Sequence, residues 1–144
     1  MTQMYELPRM GNPVVSGNLP IQTPEDIVLV RTAVRQAALQ LKFGLVDQTK
    51  LVTAASEIAR NTLIYGKGGE VFIEPVSEAK SGLRLTFIDK GPGIPDIDRA
   101  LSDGFTTGGG MGLGLGGTRR LMDDFKIVSK PSEGTTVSIT KWSR

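Results

Sequence analysis

The amino-acid sequence predicts an α+β fold, a two-layer sandwich in which helices cover one face of a mixed, mostly antiparallel sheet. Two long segments, at about 27–41 and 47–65, carry apolar residues at helical spacing, and several shorter segments alternate apolar with polar residues as strands do. Helices and strands come in mixed order, and two of the strands are spaced as a hairpin, which favours an α+β arrangement. The length of 144 residues suits a single domain, predicted over residues 14–144.

The N-terminal part of the chain predicts a tail, an edge strand and a first helix. Residues 1–13 are polar and are predicted to form a flexible tail, and residues 14–22 could hold a short edge strand. Thr23 and Pro24 are typical of the N-cap and first position of a helix. Gly44 lies where a glycine commonly follows the end of a helix, so the first helix is expected to end just before it.

The middle of the chain predicts a second helix followed by two strands. Asp47 can cap a helix that runs to about Tyr65. Residues 71–73 and 83–87 have the apolar and alternating patterns of strands. Residues 96–101 are expected to form one or two helical turns.

The C-terminal part predicts a glycine-rich loop, a third helix and a closing hairpin. The loop covers residues 104–117, and the helix covers residues 118–125. Residues 126–129 and 135–142 are predicted to pair as antiparallel strands around a turn at 131–134.

The composition excludes several kinds of chemistry. The chain has no Cys and no His, so it has no disulfide framework, no thiol nucleophile, no Ser-His-Asp triad and no imidazole metal site. A net charge of +2 without a basic run gives no indication of nucleic-acid binding. The sequence contains no stretch apolar enough to span a membrane and no signal-peptide pattern, so a cytoplasmic protein is expected. Its chemistry must depend on carboxylates, amides and backbone N–H groups, to which a hard metal ion can be added.

The second helix carries a narrow polar stripe on an otherwise apolar surface. Glu57 and Asn61 lie one turn apart on this stripe. A solvated outer face is the simpler interpretation, but the wide apolar arc indicates a helix that is mostly buried, so the stripe should line a site. An amide oxygen can bind Mg²⁺, and a carboxylate can accept a proton.

A second candidate segment follows the second predicted strand. Asp89 stands at the end of this strand, and Gly91 and Gly93 flank a proline. The segment could be only a turn. Alternatively, Asp89 accepts a hydrogen bond from an exocyclic amine, and the two glycines let a planar base approach the backbone.

The third candidate segment is the glycine run at 108–117, which leads into the third helix. Backbone N–H groups at a helix N-terminus bind anions, and glycines let phosphates come close. The run does not follow a strand within a βαβ unit, and it lacks the Gly-Lys-Ser/Thr sequence, so neither a dinucleotide fingerprint nor a Walker A loop fits. A flexible linker is the alternative, although Met111 and Leu113 interleave with the glycines.

Taken in order, the three segments resemble the three nucleotide-binding boxes of the GHKL (Bergerat) ATP-binding fold, which DNA gyrase B, histidine kinases and MutL share. Finer matches over residues 20–143 are similar to the RsbT-type serine/threonine kinases, the switch kinases of the stressosome and of partner-switching pathways. These matches are Ser56-Glu57-Ile58-Ala59-Arg60-Asn61, Gly91-Pro92-Gly93-Ile94-Pro95-Asp96, Asp103-Gly104-Phe105-Thr106-Thr107, Arg120-Leu121-Met122-Asp123-Asp124-Phe125 and Glu133-Gly134-Thr135.

The resemblance implies a role for each matched residue. Glu57 would be the catalytic base that orients a Ser or Thr hydroxyl, Asn61 would bind Mg²⁺, and Asp89 would bind the adenine amino group. Residues 103–116 would form a lid over ATP, with backbone N–H groups on the phosphates. The residues implied at the nucleotide are Asn61, Asp89, Gly91, Gly93, Gly110, Met111, Gly112, Leu113, Gly114, Leu115, Gly116 and Thr135.

Two departures from the family pattern affect these expectations. Arg60 precedes Asn61 where the anti-sigma kinases of the superfamily usually carry a small residue, which favours the switch-kinase branch. The run at 108–117 is richer in glycine than expected. Because each glycine loses extra conformational entropy on ordering, the lid is expected to be disordered without nucleotide.

The resemblance implies ATP-dependent phosphorylation of a STAS-domain antagonist, with a phosphatase as a second partner and the kinase a monomer or weak dimer. An anti-sigma factor of the same fold that sequesters a sigma subunit is the first alternative. An ATPase without a protein substrate is the second. Phosphoryl transfer needs positioning and charge neutralisation more than covalent chemistry, so a protein without His or Cys can perform it.

Overall fold

The computed structural model describes residues 17–102 and 114–143. The predicted tail at 1–13 and most of the predicted lid, residues 103–113, lie outside the described residues. In chain order the elements are β1 (Gly17–Ile21), α1 (Pro24–Gln40), α2 (Leu45–Ile64), β2 (Gly69–Ser77), β3 (Ser81–Asp89), α3 (Ile97–Ala100), α4 (Gly114–Leu121), β4 (Asp124–Lys130) and β5 (Gly134–Trp142).

The five strands form one sheet in the order β1-β2-β3-β5-β4. All four pairings between the described strands are antiparallel, so the expected parallel component is absent from this part of the chain. The physical reason is the position of β5. β3 and β4 run in the same direction, because both are antiparallel to β5, but β5 lies between them and pairs with each.

The helices cover one face of the sheet, as predicted, and α2 lies at the centre of this layer. It packs against α1 and α4 on its flanks and against the sheet below. Strand residues that face α2 are fully buried, including Val71, Leu85 and Ile139, while their neighbours along the strands are more exposed. Burial of this apolar layer, at about 25 cal/mol per Å², drives the two layers together.

Helix α1 begins where the sequence predicts and ends earlier. Thr23 is the N-cap, and its side chain and that of Asp26 form a capping box. At the other end, the N–H of Phe43 donates to the carbonyl of Ala38, and Lys42 adopts a left-handed conformation with φ 62°. This is a Schellman arrangement in which Lys42 takes the position predicted for Gly44, because Phe43 must turn back into the core.

Helix α2 starts at a different residue from the one predicted. Gly44 is its N-cap, and Asp47 lies in the first turn, where it is buried. Asp47 does not cap the helix. Its carboxylate lies 3.8 Å from the ammonium group of Lys141 on β5, a partner distant in sequence that local rules for capping do not show.

Helix α4 also begins earlier than predicted, at Gly114 and not at Thr118. The glycines of its first turn have low helix propensity, but Leu115 and Gly116 are buried in the packing of the helix layer, which overrides that preference. The helix ends at Leu121, and Phe125, which was expected to be helical, belongs to β4. The hairpin of β4 and β5 is confirmed.

Candidate active site

A cavity of about 440 Å³ opens between α2, the end of β3, α3 and the start of α4. Pockets of this size hold small-molecule ligands in other proteins. Its walls are mostly apolar, with polar groups from Asn61, Asp89 and Thr135. The lining residues are Ile58, Asn61, Thr62, Tyr65, Gly66, Phe87, Asp89, Pro92, Gly93, Ile94, Pro95, Asp96, Arg99, Ala100, Leu115, Thr135 and Val137.

Helix α2 contributes the first polar group. Asn61 lines the cavity, and Glu57 lies one turn earlier, just outside the lining. The Glu57 side chain is 15% exposed and pairs with Arg60 at 3.4 Å. The backbone of this helix is fixed at its C-terminal end, because the carbonyl of Asn61 accepts hydrogen bonds from the N–H groups of Tyr65 and Gly66. Of the two residues named on the polar stripe of α2, Asn61 therefore lines a cavity and Glu57 does not.

Asp89 is the last residue of β3 and lies in the wall of the same cavity. Its Oδ1 accepts hydrogen bonds from the N–H groups of Gly91, at 2.9 Å, and of Thr135, at 3.2 Å. Burial raises the pKa of the Asp89 carboxyl above its ordinary value, and the two N–H groups oppose this by stabilising the carboxylate. With Oδ1 held by the backbone, Oδ2 is the oxygen that can accept a hydrogen bond from a ligand.

The glycines around Asp89 are required by the packing of the protein itself. A Cβ on Gly91 would come within 3 Å of the backbone of Gly66, and a Cβ on Gly93 would collide with the carbonyl of Lys130. Gly93 also has φ 83°, which residues with a side chain rarely adopt. These glycines were expected to make room for a planar base. The structure gives them a packing reason that holds without any ligand, and their role beside a base stays a prediction.

The predicted phosphate-binding run is only partly described. Gly110, Met111, Gly112 and Leu113 lie outside the described residues. Gly114, Leu115 and Gly116 form the first turn of α4, and Leu115 reaches the cavity wall. A Cβ on Gly116 would collide with the carbonyl of Leu101, so this glycine lets α4 pack closely on the end of α3. The first N–H groups of a helix have no partner within it, which leaves them available to an anion.

Thr135 is held at the cavity by a short hydrogen-bond network that the sequence analysis missed. Its hydroxyl lies 2.7 Å from the hydroxyl of Ser129, which in turn accepts a hydrogen bond from the N–H of Ile94. Ser129 and Thr135 are direct partners across the hairpin of β4 and β5. The predicted hairpin placed these two residues opposite each other, so its register was the signal that could have identified Ser129.

The structure therefore brings Asn61, Asp89, Gly93, Leu115 and Thr135 to one cavity, whereas Glu57 is not part of its lining. Gly91 turns away and lines a neighbouring depression behind Asp89. The lining residues missed from the sequence are mainly apolar or come from α3, such as Ile94 and Arg99. Ile94 stands in a segment that matches the family but was given no role at the site, and Arg99 lies outside the matched segments. Only the folded chain brings both residues to the cavity.

Comparison with known proteins agrees with this architecture. Residues 46–143 match the family described as histidine kinase-, DNA gyrase B- and HSP90-like ATPases. The chain belongs to this family, and the fold predicted from the three sequence segments is confirmed.

Individual relatives narrow the assignment within the family. The chain is 47% identical over 125 residues to the serine/threonine-protein kinase RsbT of Bacillus subtilis (strain 168), covering 86% of this chain and 94% of that protein. It belongs with the RsbT-type kinases. It is also 33% identical over 117 residues to the anti-sigma F factor of Thermoanaerobacter sp. (strain X514), covering 78% and 82% of the two chains.

Among solved structures, the RsbU and RsbW domains of Rv1364c from Mycobacterium tuberculosis superpose with a TM-score of 0.65 at 21% identity. The match covers 92% of this chain and 34% of that longer one, and at this identity it supports the fold alone. None of the helices in the described residues is both long and apolar enough to cross a membrane.

Proposed function

We propose that this protein is an ATP-dependent serine/threonine kinase that phosphorylates a STAS-domain antagonist in a partner-switching pathway of the bacterial stress response. One observation carries the proposal: Asn61 and Asp89 line one nucleotide-sized cavity, and Glu57 lies one helical turn before Asn61 on α2. The 47% identity to a protein named as a serine/threonine-protein kinase supports it.

The cavity suits an adenine nucleotide. Apolar side chains such as Phe87, Ile94 and Val137 offer surfaces for a planar base. Asp89 supplies an acceptor for the exocyclic amine, because its Oδ1 is already taken by backbone N–H groups and Oδ2 is left for the ligand. The first turn of α4 would meet the phosphates with backbone N–H groups, together with the predicted lid over residues 103–116.

Magnesium fits the donor set at this site as a partner of the nucleotide. Within the described residues no group of three or more His, Cys, Asp or Glu side chains could hold a metal by itself. Mg²⁺ commonly takes one or two protein oxygens together with substrate phosphates and water, and Asn61 offers one amide oxygen. When bound, the ion would neutralise the charge that develops on the phosphates.

The proposed reaction needs only groups that this chain provides. The hydroxyl oxygen of the substrate attacks the γ-phosphorus, the bond to ADP breaks, and the hydroxyl proton passes to the carboxylate of Glu57. Helix α2 fixes the position of Glu57 relative to Asn61, one turn apart on the same helix. Catalysis then depends on positioning and charge, which agrees with a chain that has neither His nor Cys.

The proposed partners follow from the RsbT-type relationship. The substrate is a STAS-domain protein, and the freed kinase activates a phosphatase. Both partners and the nucleotide would be met in the cytoplasm, by a kinase that is a monomer or weak dimer.

The test is transfer of labelled phosphate from ATP to a STAS-domain protein, followed by mass spectrometry of the modified residue. We expect Glu57→Gln to lower transfer by about 100-fold or more, since it removes the proton acceptor with little change of shape. Nucleotide binding should persist, because Glu57 lies outside the cavity lining. Thr53→Val, one turn earlier on α2, serves as the matched control and should stay active. Unimpaired transfer by Glu57→Gln would contradict the proposed role.

An anti-sigma factor is the second candidate, and the 33% identity to anti-sigma F factors favours it. Such a protein would sequester a sigma subunit stoichiometrically, with kinase activity secondary. Pull-down with the full chain separates the two functions, because a bound sigma subunit supports the alternative, while a bound STAS protein or phosphatase supports the kinase. Release of free phosphate without any labelled partner would instead indicate a simple ATPase.

A further inference from the structure

Arg60 forms an ion pair with the carboxylate of Glu57. Its Nη1 lies 3.4 Å from Oε1 of Glu57, and its side chain is 43% exposed while that of Glu57 is 15% exposed. We propose that Arg60 is a positioning residue for phosphoryl transfer, which holds Oε1 and leaves Oε2 to accept the substrate hydroxyl. This inference depends on the proposed kinase function and adds to it a residue outside the nucleotide cavity.

The geometry of α2 separates the two neighbours of Glu57. Successive residues of a helix are rotated by 100°. One turn beyond Glu57, Arg60 therefore points to one side of Glu57 and Asn61 to the other. Asn61 lines the cavity, whereas Arg60 does not. Arg60 can therefore hold the carboxylate from the solvent side without occupying the space of the nucleotide, and the hydroxyl of a protein substrate would approach from that open side.

By holding Oε1 of Glu57, Arg60 would order the carboxylate before the reaction. A glutamate side chain has three rotatable bonds, so an unrestrained carboxylate spreads over several rotamers. A base is effective only within hydrogen-bond distance of the proton that it accepts. The Arg60 contact restricts Glu57 to one direction before substrate arrives, so less ordering remains for the reaction step.

The competing interpretation is an ordinary ion pair on a helix surface, since residues three apart on a helix often pair in this way. Such a pair would affect stability slightly and leave turnover unchanged. A positioning residue would lower kcat while leaving ATP affinity alone. These two expectations differ in quantities that can be measured separately.

The experiment compares Arg60→Gln with the wild-type chain, measuring kcat and KM on the STAS-domain substrate and ATP affinity by calorimetry. We expect kcat to fall about tenfold and ATP affinity to stay within about twofold. Arg60→Lys should recover most of the lost turnover, because a single contact needs only one charged donor. Arg84→Gln is the matched control, since it breaks an Arg–Glu pair of 4.0 Å on the sheet face away from the helices.

A double variant separates positioning from a general loss of structure. Glu57→Gln combined with Arg60→Gln should be no slower than Glu57→Gln alone, because Arg60 acts through the carboxylate that is already gone. Additive losses, unchanged kcat in Arg60→Gln, or a loss of ATP affinity equal to the loss of kcat would each overturn the inference. A wild-type chain that transfers no phosphate would instead overturn the proposed function itself.

Discussion

Asp89 has two roles. One oxygen of its carboxylate accepts hydrogen bonds from backbone N–H groups, and the other is available to a ligand. Asp89→Asn should keep the hydrogen bonds from Gly91 and Thr135, because an amide oxygen can replace Oδ1. It would present an amide N–H₂ toward the adenine amine, where an acceptor is needed. We expect ATP affinity to fall by about 10–100-fold, equivalent to about 1.4–3 kcal/mol.

Isothermal titration calorimetry of ATP with Mg²⁺ measures this change. Asp96→Asn is the matched control, since Asp96 also lines the cavity but its carboxylate caps α3, a role that an amide can take over. Equal affinities for wild type and Asp89→Asn would mean that the base does not bind at Asp89.

The same residue makes a prediction about stability and pH. Burial raises the pKa of Asp89 in the folded state, so the ionised carboxyl is less favourable there than in the unfolded chain. The loss of folding stability caused by ionised Asp89 is absent at pH values below the ordinary aspartate pKa. It is complete at pH values above the raised pKa of the folded state. Without nucleotide, Asp89→Asn should therefore be more stable than wild type at neutral pH, and this advantage should vanish as the solution is acidified.

Urea denaturation of both proteins at several pH values tests this expectation. A site residue that weakens the fold and strengthens ligand binding is a common compromise in enzymes. An advantage of the variant that grows on acidification would contradict the assigned direction of the pKa change.

At the level of elements, the sequence predicted the type of nearly every helix and strand but misplaced several ends. The start of α1 was correct because the capping box of Thr23 and Asp26 is local. The ends that were wrong depend on distant partners: Asp47 pairs with Lys141, and Gly116 of α4 packs against the carbonyl of Leu101 at the end of α3. Local rules describe only neighbours along the chain, so they could not foresee these contacts.

At the candidate site, too, features set by neighbours in sequence were predicted and features set by distant contacts were not. Asn61, Asp89 and Thr135 were named from motifs, because each motif is continuous in sequence, whereas Arg99 was missed. Ser129 and the apolar wall were missed, since their relation to Asp89 arises only when β4, β5 and α3 pack around it. The packing reason for Gly91 and Gly93 was also hidden, because the backbone segments that they touch are remote in sequence.

Lys141, near the C-terminal end of β5, connects three elements of the fold. Its ammonium group is buried and lies 3.2 Å from the carbonyl oxygen of Leu121, 3.6 Å from Asp123 and 3.8 Å from Asp47. It therefore ties the end of α4 and the start of α2 to the sheet. Lys141→Met should destabilise the fold by about 2–4 kcal/mol, because it removes the buried positive charge that pairs with Asp47 and Asp123.

The free energy of unfolding in guanidinium chloride measures this loss. Lys126→Met, at an exposed position on the neighbouring strand β4, is the control and should change stability by less than about 0.5 kcal/mol. A small effect at Lys141 would mean that α4 is held mainly by its apolar contacts.

For the whole molecule, nucleotide binding should stabilise the fold, because the cavity is formed by elements from both layers. At a ligand concentration 100-fold above Kd the gain is about 2.7 kcal/mol, which corresponds to about 5–10 °C in Tm for a chain of this size. GTP is the matched control ligand, since guanine presents a carbonyl where adenine presents its amine. Thermal unfolding followed by circular dichroism tests this, and an equal shift with GTP would contradict recognition by Asp89.

The strand order also bears on how the molecule is made. β3 lies in the middle of the finished sheet, but its partner β5 is translated roughly 45 residues later, a delay of about 2–9 s at typical ribosome speeds. During that interval the apolar edge of β3 has no neighbour on one side and is open to mispairing with other nascent chains. Slow synthesis or scarce chaperones should therefore lower the yield of this protein more than its modest size suggests.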